Sequence, residues 1–176
     1  MIFADPEHNI KQFDLKEGSS VADLGSGSGF YSFEAARAVG PSGKVYSIDV
    51  QKDLLHKITA EAKHKGLGNI ETIWGNVEKT GGTKLGDSSM DEAILSNILF
   101  QIEDKKSFAE EVYRIVKMGG KILVIDWTDS FRNMGPHKDA IVSKDTARKL
   151  FEGHGFKFDK DIFSGEHHYG IIFRKI

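Results

Sequence analysis

The chain has 176 residues, of which 24 are lysine or arginine and 26 are aspartate or glutamate, so its formal net charge is −2 at pH 7. This length predicts one domain with its own core, and the nearly balanced charge argues against a nucleic-acid-binding protein. The absence of cysteine excludes disulfides, thiolate metal ligands and a cysteine nucleophile within these residues.

The sequence also lacks the signals that direct a chain to or across a membrane. No apolar run reaches the roughly 18–20 residues of a membrane helix. Residues 1–9 contain no basic segment followed by an apolar one, as a secretory signal would. We therefore expect a cytoplasmic protein with no membrane span.

Short apolar segments alternate with segments of helical periodicity through the first 127 residues. The predicted strands are 21–24, 44–50, 70–74, 90–96 and 121–127. The predicted helices are 31–39, 51–65 and 104–117. Residues 76–89 are expected to form a loop and 118–120 a turn. This alternation predicts a parallel sheet with helices on both faces.

The chain after the fifth strand follows a different pattern. Residues 128–142 predict an irregular connection, and a helix is expected over 143–154 with Ser143 as its N-cap. Residues 156–163 and 169–174 alternate as strands do and predict a closing hairpin. No repeat or linker divides the sequence, which favours a single domain over residues 1–176.

A glycine-rich segment, Asp23 to Phe30 (DLGSGSGF), joins the first predicted strand to the first predicted helix. In open α/β sheets, ligands bind beyond the carboxyl ends of the strands, and glycines let the backbone approach them closely. Asp49 ends the second strand, where a carboxylate can accept hydrogen bonds from both hydroxyls of a ribose. The two features together predict a nucleoside-binding site.

Two classes of cofactor suit this arrangement. Gly25 and Gly27 match the dinucleotide fingerprint G-x-G-x-x-G/A, but its third position falls on Phe30, which would obstruct close helix–strand packing. Asp23 would repel a pyrophosphate but would tolerate a cationic sulfonium with an amino-acid tail. An NAD-dependent oxidoreductase is therefore the weaker alternative. The plainer alternatives are a sharp turn for the glycines and a capping or bracing role for Asp23 or Asp49.

The whole set of motifs resembles the class I S-adenosylmethionine-dependent methyltransferases, and within them the small group related to the ubiquinone/menaquinone-biosynthesis type. The matching segments, in order, are 23–29, 46–49, 74–78, 95–100 and 116–121. The resemblance implies a Rossmann-like, doubly wound α/β sheet of order 3-2-1-4-5-7-6 with strand 7 antiparallel. It also implies S-adenosyl-L-methionine as the cofactor.

The resemblance further implies which residues hold the cofactor. They are Asp23, Gly25, Ser26, Gly27, Gly29, Phe30, Asp49, Val50, Gly75, Asn76, Val77, Ser96 and Asn97. Asn76 stands where the family usually has Asp. It keeps an acceptor oxygen for the adenine amino group but loses the charge, which weakens the contact. A neutral hydrogen bond is worth roughly 1 kcal/mol, against about 1.5–3 kcal/mol for a charged one.

Four residues are candidates for catalysis: Asn97, His137, His167 and His168. If strand 7 is antiparallel, its first residues lie near the ends of strands 4 and 5, where the methyl group would be presented. Tyr169 and Asp126 are further candidates for a base. The plainer alternatives are a cap for Asn97 and a surface or structural role for each histidine. No third ligand has suitable spacing for a histidine-bound metal, so no metal is expected.

We expect a small-molecule acceptor, and a protein that presents one residue to an open site is the alternative. No Asn/Asp-Pro-Pro-Tyr run follows the fourth strand, so methylation of exocyclic amines on bases or glutamine is not indicated. The absence of cysteine argues against arsenic-type thiol chemistry. Substrate enclosure would fall to residues 1–17 and 128–142, with a monomer or a homodimer as the assembly. A non-catalytic module that binds the cofactor remains an alternative.

Overall fold

In the computed structural model, seven strands form one sheet in the order β3-β2-β1-β4-β5-β7-β6. The structure describes residues 4–131 and 134–176. Neighbouring strands from β3 through β5 run parallel, whereas β7 runs antiparallel to both β5 and β6. The predicted strand order and the antiparallel seventh strand are both confirmed.

The helices and strands lie within a few residues of their predicted positions. The strands are β1 Ser20–Leu24, β2 Lys44–Asp49, β3 Ile70–Trp74, β4 Met90–Ser96, β5 Val116–Trp127, β6 Phe156–Ile162 and β7 His168–Lys175. The helices are α1 Pro6–Phe13, α2 Phe30–Val39, α3 Lys52–His64, α4 Lys105–Ile115 and α5 Lys144–Glu152. A single 3₁₀ turn, Lys138–Ala140, lies in the connection predicted to be irregular.

The boundary between α4 and β5 differs from the prediction. The helix ends at Ile115, and Val116 is already extended and pairs with Met90 of β4. The predicted turn at residues 118–120 therefore lies inside β5, where Gly119 has a φ of +75°. The register with β4 shifts between Met90 and Glu92, which absorbs the irregularity.

Helix α1 is an element that the sequence analysis did not predict. Asp5 is its N-cap and accepts hydrogen bonds from the backbone N–H groups of Glu7 and His8 at 3.0 and 3.3 Å. Pro6 occupies the first turn, where a proline costs no hydrogen bond. Ile10 and Phe13 are buried against the sheet, so the helix covers part of one face.

The two faces of the sheet carry separate apolar cores, which fix the strand ends. One core packs β4, β5 and β7 against α4 and α5 and includes Phe108, Phe151 and Phe173. The other packs the opposite face against α1 and α2 and includes Ile94 and Ile125. Because central parallel strands are buried on both faces, ligand-binding groups lie at their carboxyl ends.

Candidate functional site

A cavity of about 680 Å³ lies at the carboxyl ends of β1, β2, β3 and β4. Every residue predicted to bind a cofactor lines it, except Gly29. Ala4 and Pro6, at the start of α1, add to its wall. None of the described residues of the 128–142 connection lines this cavity. The segments brought together by the fold are therefore the loops after the first four strands.

The glycine loop after β1 is shaped by close contacts on one side and open space on the other. Gly25 has a φ of +72°, and a side chain there would collide with Ile98. Gly27, with a φ of +53°, has no atom within 4 Å of the position its Cβ would take. The open space leaves the backbone at Gly27 accessible to a ligand. The positive φ explains why this position is a glycine, which adopts it without strain.

The first turn of α2 continues the glycine loop. Gly29 is the N-cap residue of α2, and a Cβ there would lie 2.7 Å from Ile58 Cγ1. The close approach to a neighbouring helix therefore falls at Gly29, one residue before Phe30. The side chain of Phe30 is 66% exposed and lines the cavity, so it does not obstruct packing.

Asp49, at the end of β2, connects the glycine loop to the next helix. Its Oδ2 accepts a hydrogen bond from the Gly27 N–H and its Oδ1 one from the Gln51 N–H, both at 2.9 Å. Gln51 is the N-cap residue of α3, so the bracing role considered for Asp49 is present. Each carboxylate oxygen retains capacity for a further hydrogen bond toward the cavity.

Asp23, at the floor of the cavity, is buried beside a pair of serines. It is 2% exposed, and Ser32 Oγ donates to its Oδ2 at 2.6 Å. Ser32 Oγ also lies 2.6 Å from Ser47 Oγ. Burial raises the pKa of Asp23 from 3.8 to about 7, with Asp49 raising it further and the Ser32 hydrogen bond opposing the shift. The Asp23 carboxyl therefore titrates near neutral pH.

This titration predicts a pH-dependent stability that an asparagine would remove. The folded-state pKa lies above the unfolded one, so the folded protein holds the extra proton and loses stability as pH rises from about 4 to about 7. Between pH 5 and pH 8, the free energy of unfolding should fall by about 2–3 kcal/mol more in the wild type than in Asp23→Asn. Urea unfolding of both proteins across this range measures the difference, and parallel pH profiles would contradict it.

Residues 75–77, which follow β3, form another wall of the cavity. A side chain at Gly75 would collide with the carbonyl oxygen of Gly82, which explains the glycine. Asn76 Oδ1 accepts from the Glu78 N–H at 3.0 Å, so part of its acceptor capacity is already used within the loop. Val77 is buried in the core of the α4 face. The loop is consequently held close to the end of the sheet.

Glu111 of α4 anchors this loop, and the sequence analysis did not identify it. Its carboxylate accepts from the Gly81 N–H at 2.8 Å, the Thr83 N–H at 3.1 Å and the Thr83 hydroxyl at 2.6 Å. Arg114 donates to it through Nε and Nη2 at 2.9 and 2.8 Å. The contacts with Gly81 and Thr83 join residues about thirty positions apart in sequence, so no local pattern predicts them.

Asn97 stands just beyond β4 in a conformation unusual for a residue other than glycine. Its φ is +54°, and its N–H donates to the Ile125 carbonyl at 2.8 Å. In the described part of the chain, the buried Asn97 Oδ1 has no hydrogen-bond partner, and neither does Ser26 Oγ. Both residues line the cavity. Since buried polar atoms are nearly always hydrogen-bonded, these two oxygens suit the polar groups of a ligand.

The three candidate histidines lie outside this cavity. His137 is exposed, with Nδ1 3.2 Å from Asp139 Oδ2. His167 Nδ1 lies 2.7 Å from Asp129 Oδ1, and its ring stacks on Phe131.

His168 lies beside the end of β5 because it pairs with Trp127, as the antiparallel seventh strand predicts. Burial lowers the pKa of its imidazole from 6.5 to about 4, with His167 adding to the effect, so the ring is neutral at pH 7.

The other two candidates for a base lie on the opposite face from His168. Asp126 Oδ2 accepts from the Leu99 N–H and Oδ1 from the Trp127 N–H, both at 2.8 Å. Burial raises the pKa of Asp126 from 3.8 to about 6, against the effect of these backbone hydrogen bonds. Tyr169 pairs with Asp126 and belongs to the core packed on α4 and α5. Asp126 therefore fixes the segment after β4 through its hydrogen bond with the Leu99 N–H.

Comparison with known proteins identifies the family to which this chain belongs. The family described as a methyltransferase domain matches residues 15–167. A SAM-dependent methyltransferase from Aquifex aeolicus, of known crystal structure, is 29% identical, with a TM-score of 0.89 over 99% of this chain and 91% of that one. The chain belongs to the methyltransferase-domain family, in the class I group. Members of this group are enzymes whose cofactor is S-adenosylmethionine, which confirms the predicted family and cofactor.

Curated relatives carry more specific names. A demethylmenaquinone methyltransferase from Geobacillus sp. (strain WCH70) is 29% identical over 120 residues, which cover 68% of this chain and 50% of that protein. An arsenite methyltransferase from Halobacterium salinarum is 29% identical over 112 residues, covering 64% and 28%. The chain thus spans half or less of the length of these two relatives.

The described residues contain neither a membrane-spanning helix nor a metal-binding cluster. Among residues 4–131 and 134–176, no helix is long and apolar enough to cross a bilayer. Within the same residues, no group of three or more histidine, aspartate or glutamate side chains is arranged to hold a metal ion.

Proposed function

We propose that this chain, acting as one domain over residues 1–176, binds S-adenosylmethionine in the cavity and catalyses transfer of its methyl group to a small molecule. One observation carries the proposal: the glycine loop, Asp49 and the segment 75–77 converge on a single cavity. Asp49 would accept the ribose hydroxyls, and the loop from Gly25 to Gly29 would surround the methionine part. Gly75, Asn76 and Val77 would contact the adenine.

The charge of the cavity supports this choice of ligand. Asp23, Asp49, Glu78 and Glu103 line it, and the described lining residues include no lysine or arginine. The carboxylate of Asp49, together with the ionised fraction of Asp23, favours a sulfonium cation and disfavours the pyrophosphate of a dinucleotide. The orphaned oxygens of Ser26 and Asn97 would accept hydrogen bonds from the ammonium group of the methionine part.

The chemistry of transfer places modest demands on the protein. When bound, S-adenosylmethionine supplies a methyl group already activated by a positive sulfur. The chain must hold the acceptor in line with that methyl and exclude water. Asn97, Ile98 and Ile102 lie where the cavity meets the end of β4, and we assign them to the border of the methyl group. His137, which lies exposed on the surface, is given no part in this proposal.

An organic acceptor fits the composition of the chain. The curated relatives act, by name, on demethylmenaquinone and on arsenite. Soft centres prefer thiolate ligands, and none of these 176 residues is cysteine. We therefore favour a small organic molecule over arsenite. We further propose a cytoplasmic monomer or homodimer with no nucleic acid partner.

Calorimetry with S-adenosylhomocysteine and with NAD tests the binding part of the proposal. S-adenosylhomocysteine should bind at one site per chain, and NAD should give no heat of binding. Incubation with methyl-labelled S-adenosylmethionine and cell extract then tests catalysis and should label a small molecule. Binding of NAD alone would indicate an oxidoreductase, whereas cofactor binding without any labelled product would indicate a non-catalytic module.

A further inference from the structure

A second group of buried polar side chains lies outside the cofactor cavity, where β5 ends and β7 begins. His168 is 7% exposed, and neither of its ring nitrogens has a hydrogen-bond partner among residues 4–131 and 134–176. Ser164 is 2% exposed, and its hydroxyl is also unpartnered within those residues. Such groups are costly to bury without partners, so two of them together point to a ligand.

Packing places these two side chains on one face of the sheet. His168 pairs with Trp127, and the two rings lie 4.2 Å apart between centroids. Gly135 also packs closely on Trp127, because a Cβ there would lie 2.7 Å from the indole. Gly170 follows His168 by two residues and therefore faces the same side. Ser164 Oγ lies 3.1 Å from where a Gly170 Cβ would be, which places the hydroxyl on that side too.

The same face leads across the sheet to the cofactor cavity. Ser96 lines the cavity and pairs with Ile125 of β5, next to β7. Ile94 and Ile125 share the core under α1 with Ile172 of β7, so even-numbered residues of β4 and β7 face α1. Gly170 is level with Ser96 across β5, and His168 lies two residues away from Gly170 along β7. With strands about 4.8 Å apart and a rise of about 3.3 Å per residue, the backbones at Ser96 and His168 are separated by roughly 12 Å. The imidazole of His168 and a methyl group at the β4 end of the cavity would therefore approach one acceptor oxygen from two sides.

We propose that His168 binds a hydroxyl group of the acceptor and takes its proton as that hydroxyl is methylated. The inference rests on the methyl transfer proposed above. The acceptor oxygen forms a bond to the methyl carbon while the sulfur–carbon bond breaks, and the electron pair of that bond remains on sulfur. The hydroxyl proton passes to the unprotonated ring nitrogen of His168, which later releases it to water. Ser164 would hold a second polar group of the acceptor.

The side chains around His168 favour an acceptor with a hydroxyl group over one with an amine. An amine acceptor is a cation in water and calls for a carboxylate. The nearby carboxylate of Asp129 contacts His167 Nδ1 at 2.7 Å, whereas no carboxylate contacts the ring nitrogens of His168 in the described part of the chain. A weak base is sufficient here, because the hydroxyl oxygen becomes strongly acidic only as its bond to carbon forms. Burial keeps the imidazole unprotonated, since it lowers the pKa of His168 to about 4.

The test uses the full chain, methyl-labelled S-adenosylmethionine and cell extract, with three variants. In His168→Gln, formation of labelled product should fall at least 100-fold, in the range typical of a lost general base. Its affinity for S-adenosylhomocysteine should stay within twofold of the wild type, which also reports correct folding. His154→Gln is the matched control, because His154 lies just beyond α5 with its Nδ1 2.6 Å from the Leu150 carbonyl oxygen, and it should leave labelling unchanged.

A rescue experiment separates proton transfer from packing. In His168→Ala, added imidazole should restore part of the lost labelling, and the product of the wild type should be a methyl ether. Labelling that survives in His168→Gln, or a methyl group found on carbon, nitrogen or sulfur, would overturn the role of His168 alone. The absence of any labelled product from the wild type would instead defeat the proposed methyl transfer itself.

Discussion

Replacing Asp49 with alanine is expected to weaken binding of S-adenosylhomocysteine by about 1–3 kcal/mol, through loss of charged hydrogen bonds to the ribose. We expect a value toward the upper end of this range. The same carboxylate accepts from the Gly27 N–H and the Gln51 N–H, so its removal also releases the glycine loop. The fold should survive, because β2 is held by its neighbours on both sides.

Calorimetry with Asp49→Asn and Asp53→Ala beside Asp49→Ala makes this result specific. Asparagine keeps one acceptor oxygen without the charge and should give an intermediate affinity. Asp53 is an exposed acid in the first turn of α3, outside the cavity, and its loss should leave binding unchanged. Equal affinity in the wild type and Asp49→Ala would remove Asp49 from the cofactor site.

Replacing Glu111 with alanine is expected to lower the free energy of unfolding by about 3 kcal/mol or more, as removal of one partner from a buried ion pair does. Burial acts to raise the pKa of Glu111, but hydrogen bonds from Arg114 and Thr83 outweigh it and bring the pKa to about 2. Its contribution is therefore present above about pH 4.5 and is lost as pH falls toward 2. Alanine would leave two backbone N–H groups of the loop without their acceptor.

Urea unfolding at pH 7 measures this loss. Glu110→Ala is the matched control, because its carboxylate is half-exposed and lies 3.8 Å from Lys106; its effect should stay within about 0.5 kcal/mol. Glu111→Ala should also bind S-adenosylhomocysteine more weakly, since the released loop carries Gly75 and Asn76. A Glu111→Ala protein as stable as the Glu110→Ala control would show that the loop does not depend on this contact.

Local sequence patterns predict most of this fold. The buried strands read as short apolar runs, and turns and glycines separate them from amphipathic helices, so alternation alone indicates a parallel sheet. Most of the residues that line the cavity are also predictable, because they follow strand ends in sequence. The glycine loop after β1 and Asp49 after β2 are visible without any tertiary information.

Other features depend on contacts that a local pattern does not carry. The sequence prediction misplaces the α4–β5 boundary, because Val116 continues the apolar spacing of the helix. In the structure, Val116 pairs with Met90 and begins β5. Helix α1 has only eight residues, and the Asp5–Pro6 start was its one clear signal. The Glu111 anchor and the orphaned nitrogens of His168 arise from packing between distant segments. The predicted antiparallel seventh strand made His168 a catalytic candidate. No sequence pattern indicated that its ring would be buried against Trp127.

A crystal structure of the protein with S-adenosylhomocysteine tests the central claim most directly. The account predicts the nucleoside in the 680 Å³ cavity, with both ribose hydroxyls within hydrogen-bond distance of Asp49 and the amino-acid tail against the Gly27 backbone. A ligand bound elsewhere on the protein, or a ribose that contacts no oxygen of Asp49, would contradict it.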